Sequence, residues 1–146
     1  MRKQNPKQFF SSEEEGQVIE AIRHAESETS GEIRVHLAKS VKKTAFEDAV
    51  QVFEKLGMTK TAERSGVLFY LAVKDSQFAV IGDLGIHQKV PETFWDQVGE
   101  ILRKHFQKDD FVAGLTEAIR MCGDELARYF PHKADDKNEL PDTISK

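Results

Sequence analysis

Two apolar runs, residues 66–73 and 78–81, show almost no polar alternation, and only Lys74-Asp75-Ser76-Gln77 separates them. A strand wetted on one face alternates apolar with polar side chains, so both runs read as central strands covered on both faces. The linker is too short for a crossover, which makes the two strands antiparallel neighbours. Upstream, Ile33, Val35 and Leu37 alternate with Arg34, His36 and Ala38. That period predicts a strand over 33–38 whose second face is less well covered, nearer the sheet edge.

Between and around the strands the period changes to that of helices. Ser11 with Glu14 and Ser12 with Glu15 form two overlapping capping boxes, and Val18, Ile19, Ile22 and Ala25 continue a first helix to about Ser27, ended by Thr29-Ser30-Gly31. His24, one step off this stripe, reads as structural. Phe46, Ala49, Val50, Phe53 and Leu56 define the face of a second helix, closed by Gly57. Pro91-Glu92 suits the first turn of a third, with Phe94, Trp95, Val98, Ile101, Leu102 and Phe106 as its stripe. Asp109 or Asp110 caps a fourth, whose face runs from Phe111 through Leu115, Ile119 and Cys122 to Phe130 and stops at Pro131. Gly114 and Gly123 within it suggest a close approach of helix to sheet. From His132 onward the chain is polar without period, which predicts a domain over 1–131 and a disordered tail over 132–146.

A strand–helix–strand crossover is right-handed and parallel, so strand 33–38 runs with strand 66–73. The prediction is an α/β fold, a small mixed β-sheet with helices on both faces. Phe53, Phe69, Leu71, Val80, Leu102 and Leu115 are the expected core.

With 146 residues the chain suits one domain, large enough to bury roughly two thirds of its unfolded surface without a metal or disulfide staple. The single cysteine, Cys122, lies on an apolar stripe and reads as core filler rather than a nucleophile. No apolar run approaches the roughly 18 residues that span a bilayer, and the start of the chain lacks the apolar core of a signal peptide, so no membrane span and a cytoplasmic location are expected. Basic and acidic residues number 21 and 25 and intermix, for a net charge of −4. That distribution lacks the footprint of a nucleic-acid binder.

The order helix, strand, helix, hairpin, helix, helix, with its glycines and acids, resembles the TPM domain family, also called TPM phosphatase. The resemblance covers about 9–130. It is carried by Thr29-Ser30-Gly31-Glu32-Ile33, Arg64-Ser65-Gly66-Val67-Leu68, Ile81-Gly82-Asp83-Leu84-Gly85-Ile86, and Phe106-Gln107-Lys108-Asp109-Asp110-Phe111 with Gly114-Leu115. It implies an α/β/α sandwich and, for some members, divalent metal binding or acid phosphatase activity. Two positions depart from the common pattern. Arg64-Ser65-Gly66 stands where many members read Asp-Asn-Gly, and His87 stands where an acid is common.

The predicted topology brings Glu32, Glu63, Arg64, Ser65, Asp83 and His87 to one end of the sheet. Glu32, Glu63 and Asp83 are candidate oxygen ligands for Ca²⁺ or Mg²⁺, Arg64 is a candidate phosphate-binding cation, and Ser65 and His87 are neighbours. The competing account makes these solvated loop charges, with Asp83 shaping a glycine-rich turn. Asp75, Asp109 and Asp110 fall at the opposite end, because a helix of about 15 residues spans roughly the length of a seven-residue strand. Asp110 is expected to bond the free amides of a helix start. Phosphate loops and Gly-x-Ser-x-Gly elbows are missing from the sequence. Two readings stand: a non-enzymatic binding or interaction module that requires no cofactor, contacts an unknown protein partner or small ligand and holds a divalent cation weakly if at all; or a metal-dependent acid phosphatase using Glu63, Asp83 and Arg64.

Overall fold

The computed structural model describes residues 2–132 and 143–146. The described chain runs α1 (Ser12–Glu26), β1 (Glu32–Ala38), α2 (Ala45–Lys55), a 3₁₀ turn (Met58–Lys60), β2 (Gly66–Ala72), β3 (Gln77–Gly82), α3 (Leu84–His87), α4 (Glu92–Phe106) and α5 (Phe111–Tyr129). The sheet order is β1-β2-β3. β1 pairs parallel to β2 with Val35 opposite Phe69, and β2 pairs antiparallel to β3 with Phe69 opposite Val80. This is the mixed sheet that the connection lengths predict.

Each face of the sheet has its own core. Val35, Val67 and Phe69 join Ile22, Val98, Leu102, Leu115 and Ile119 in the main core beneath α1, α4 and α5. On the opposite face Tyr70 and Ala72 pack with Ala49, and Leu68 with Phe53 and Met58, beneath α2 and the 3₁₀ turn. Helices therefore cover both faces, giving an α/β/α arrangement. All seven residues of β2 are buried, as its unbroken apolar run requires.

Several local devices fix the ends of these elements. Of the two overlapping capping boxes the chain uses Ser11 with Glu14, whose side chains and backbones bond reciprocally. Gly57 closes α2 at φ 74°, the left-handed conformation that glycine adopts without Cβ strain. Met58, which follows it, is fully buried.

Other expectations need correction. β3 is an edge strand and only half-buried, Val80 included, because among the described residues no fourth strand flanks it. The buried face of α2 is turned from the predicted one: Phe46 is 63 % exposed and Val50 36 %, while Asp48 is buried. Asp48 goes inside because its carboxylate accepts the Lys42 and Lys43 amides and lies 3.5 Å from the Tyr70 hydroxyl. Burial, and then Asp48, push the Tyr70 phenol up to about 12. Gly114 and Gly123 admit neighbouring helices rather than the sheet; a Cβ on them would lie 2.8 Å from His105 and 2.7 Å from Ala25. Asp110 stands at the start of α5 but makes no side-chain cap bond.

The expectation of a disordered tail falls outside the described residues for 133–142. At its end the expectation fails. Ser145 bridges β1: the Leu37 amide donates to its carbonyl at 2.8 Å and its own amide donates to Val35 at 2.9 Å. Its hydroxyl lies 2.8 Å from His36 Nδ1, Ile144 packs on the main core, and Lys146 pairs with Glu15. A strand edge with unpaired amides is a template for another strand, and the chain supplies its own.

Candidate functional site

β2 begins where β3 ends, so the loop before the one and the turn after the other are neighbours. The Asp83 amide donates to the Gly66 carbonyl at 2.8 Å, and the Gly85 amide to the Arg64 carbonyl at 2.8 Å. Arg64 holds φ 54°, a conformation uncommon outside glycine and often found where surroundings over-determine the backbone. Here the surroundings are Gly85, where a Cβ would sit 2.2 Å from the Glu63 carbonyl oxygen and 2.6 Å from that of Arg64. Only a residue without a side chain lets the two loops clasp.

The clasp orients one ion pair. Arg64 donates from Nε to Asp83 Oδ2 at 2.7 Å and from Nη2 to Oδ1 at 2.8 Å, a two-point fork. The same Asp83 Oδ1 accepts the Leu84 amide at 2.8 Å and starts α3. The Asp83 side chain is 6 % exposed and that of Arg64 45 %. Hydrogen bonding to Asp83, and then its charge, raise the Arg64 pKa still further, so the guanidinium is a fixed cation.

The other candidates divide around this pair. His87 is exposed and stacks on Trp95, with ring centroids 6.4 Å apart and 16° between planes. Glu32, buried at 2 % exposure, lies across β2 beside Gly66, and its amide points to the Ser65 carbonyl at 3.4 Å. Glu63 lies 3.4 Å from the Ser30 hydroxyl, and the Ser65 amide donates to Thr61 Oγ1 at 3.2 Å. Glu32 and Asp83 thus flank opposite sides of one strand, roughly 10 Å apart at two strand spacings. Ca²⁺ or Mg²⁺ needs oxygens within about 2.6 Å of a common point. Among the described residues no three His, Cys, Asp or Glu side chains come together in a way that could hold a metal ion. The proposed ligand set of Glu32, Glu63 and Asp83 does not fit such an ion. The Asp83 carboxylate is instead engaged by Arg64, a cation already belonging to the chain.

Beside the fork lies a cavity of about 580 Å³, lined among others by Arg64, His87, Phe46, Leu84, Trp95 and Asp96. Trp95 closes over the end of β3 because Gly82 makes room; a Cβ there would meet the indole at 2.4 Å. The indole N–H is buried and unpartnered among the described residues. Phe46 and Leu84 stand 63 % and 53 % exposed at the rim. The helical stripes turn Phe46 and Trp95 inward; Phe46 is instead exposed at the rim, while Trp95 is half-buried, packs on the main core and also lines the cavity. The place of Trp95 has one signal in the sequence, Gly82 immediately before Asp83, which leaves room for a large side chain at the strand end.

Asp75, Asp109 and Asp110 are absent from this cluster. Asp75 instead accepts the Val41 amide at 2.7 Å, and Asp109, with φ 59°, lines a hollow with Arg2 and Ser76 near the β2–β3 turn. Cys122 is buried, and burial pushes its thiol pKa up, which leaves it no nucleophilic role. No helix of the described residues is long and apolar enough to cross a membrane.

Comparison with known proteins places this geometry. A family profile described as TPM domain matches residues 4–125. The NMR structure of BA42 protein from the psychrophilic bacterium Bizionia argentinensis is 44 % identical, with TM-score 0.90, covering 99 % of this chain and 99 % of that one. The solution NMR structure of the N-terminal domain of cg2496 protein from Corynebacterium glutamicum is 12 % identical, with TM-score 0.62, covering 94 % of this chain and 80 % of that one, a likeness of fold. No curated protein matches.

Proposed function

The chain belongs to the TPM domain family, and from that premise we propose that it is a non-enzymatic binding module whose ligand surface is the sheet end around Arg64 and Asp83. One observation carries the reading: the fork of Arg64 on Asp83, at 2.7 and 2.8 Å, satisfies the acid that a metal would need. A guanidinium held this way leaves little unbalanced negative charge for a divalent ion, so any Ca²⁺ or Mg²⁺ binds at about 10⁻⁴ M or looser. The adjoining cavity, with Trp95, Leu84 and Phe46 on its walls, suits a ligand with apolar surface.

A metal-dependent phosphatase needs an ion to polarise the phosphoryl oxygens and activate water. The test is therefore hydrolysis of p-nitrophenyl phosphate across acid and neutral pH, with Ca²⁺, with Mg²⁺ and with chelator. The expected result is no turnover above a heat-denatured control. Turnover that Asp83→Asn or Glu63→Gln abolishes, with the fold retained by circular dichroism, makes the protein an enzyme instead.

A further inference from the structure

The two edges of the sheet are treated differently. On β1 the outward groups are taken: the Ile33 amide donates to the Glu26 carboxylate at 2.8 Å, and Val35 and Leu37 bond Ser145. On β3 they are open. In antiparallel pairing, bonded and non-bonded pairs alternate. The bond from the Asp83 amide to the Gly66 carbonyl sets the phase, so Gln77, Ala79 and Ile81 bond β2 while Phe78, Val80 and Gly82 turn their N–H and C=O groups outward. Among the described residues none of these outward groups has a partner. The usual protections of such an edge are charges, proline or a bulge, and Gln77–Gly82, reading QFAVIG, contains no charge and no proline.

Two hollows lie beside this edge. At its Gly82 end lies the 580 Å³ cavity already described, and at its Gln77 end a second of about 350 Å³, lined by Phe78, Arg103 and Phe106 among others. Both faces of an added strand would meet apolar walls, Phe46 of α2 on one and Trp95 and Phe106 of α4 on the other. Exposed Glu92 and Asp96 flank the Gly82 end, where Arg64 is already paired with Asp83, while at the Gln77 end Arg103 is paired with Glu100 at 2.7 Å.

Resting on the binding-module reading, the geometry points to the class of ligand: an extended segment of a partner protein that adds to β3 as a fourth strand, antiparallel, apolar on both faces. Its basic N-terminal end lies over Glu92 and Asp96. Backbone bonds to Phe78, Val80 and Gly82 supply affinity, and the two hollows select side chains.

The probe is a synthetic peptide in which valine and alanine alternate after an N-terminal lysine pair, titrated into ¹⁵N-labelled full-length protein to roughly millimolar concentration. The expected result is shifted and exchange-protected amides at Phe78, Val80 and Gly82. A peptide methylated at alternate backbone nitrogens, or one with its lysine pair replaced by glutamates, should bind roughly three- to tenfold more weakly, the scale of a few lost rim charges. Val80→Pro should abolish binding yet keep the fold, because the amide it removes faces away from β2. Two results overturn strand addition: no effect at the three amides, or equal binding of the methylated peptide by the wild type. If instead the Trp95 and Leu84 signals move while the edge amides stay still, the cavity binds and only strand addition fails. If nothing moves, the binding site itself is refuted. Concentration-dependent broadening at β3 without peptide would make the occupant a second copy of the chain, which also overturns the proposal.

Discussion

Replacing Gly85 with alanine tests whether the clasp between the loops at 63–65 and 83–87 holds the site together. The new Cβ would lie 2.2 Å from one backbone carbonyl oxygen and 2.6 Å from the next, about 1 Å inside contact, and neither is the end of a flexible side chain. The Arg64 segment must therefore move, stretching the Gly85 amide bond to the Arg64 carbonyl now at 2.8 Å. Overpacking of this kind costs about 1–3 kcal/mol, and loss of one backbone hydrogen bond about 1 kcal/mol more, for a total of roughly 2–4 kcal/mol. For a chain of this size about 3–4 °C accompanies each kcal/mol, so the thermal midpoint should fall by roughly 6–16 °C. Scanning calorimetry reads it. Gly99→Ala is the control, since nothing lies within 4 Å of a Cβ built there, and in the middle of α4 it should stabilise by about 0.5–1 kcal/mol. Equal midpoints for Gly85→Ala and wild type would refute the clasp.

Three further outcomes are expected. His36 is half-buried and stacks on Tyr70, and burial, then Arg34 and Lys55, lower its pKa to about 4. The unfolded chain then binds a proton that the folded one refuses, so His36→Gln should reduce the stability lost as pH falls from about 6.5 to about 4 in urea unfolding. Deleting residues 143–146 removes two backbone bonds to β1 and the contact of Ile144, which should cost roughly 2–3 kcal/mol and speed exchange of the Leu37 amide; an unchanged midpoint would show that this end does not dock. Cys122 should react with Ellman's reagent only as fast as the protein unfolds, and rapid native labelling would contradict its burial.

The sheet could be read before it was seen because β2 is a continuous apolar run and its connections permit only one topology. The helix faces were harder. Phe46, Val50 and Phe53 share a helical spacing, yet periodicity cannot register that the buried place beside Ala49 belongs to Asp48, whose carboxylate satisfies two amides of the preceding loop. Nor does composition announce that Ser145, in a polar tail, completes a strand edge, because backbone bonds have no side-chain signature. At the site, connection lengths brought Arg64 and Asp83 to one end of the sheet. That they join in a fork and exclude Glu32 depends on the φ of Arg64 and the bare Cα of Gly85, neither visible as a pattern.

Trp95 is the single tryptophan and lines the cavity, so its fluorescence reports on occupancy of the site. The deciding measurement is its emission during two titrations of the full-length protein, one with the strand peptide and one with Ca²⁺ and inorganic phosphate together. A binding module whose acid is already satisfied by Arg64 predicts a saturable change with the peptide and a flat response to metal and phosphate below roughly 10⁻⁴ M. Saturation by metal and phosphate in the micromolar range, with no response to the peptide, would contradict the account at its centre.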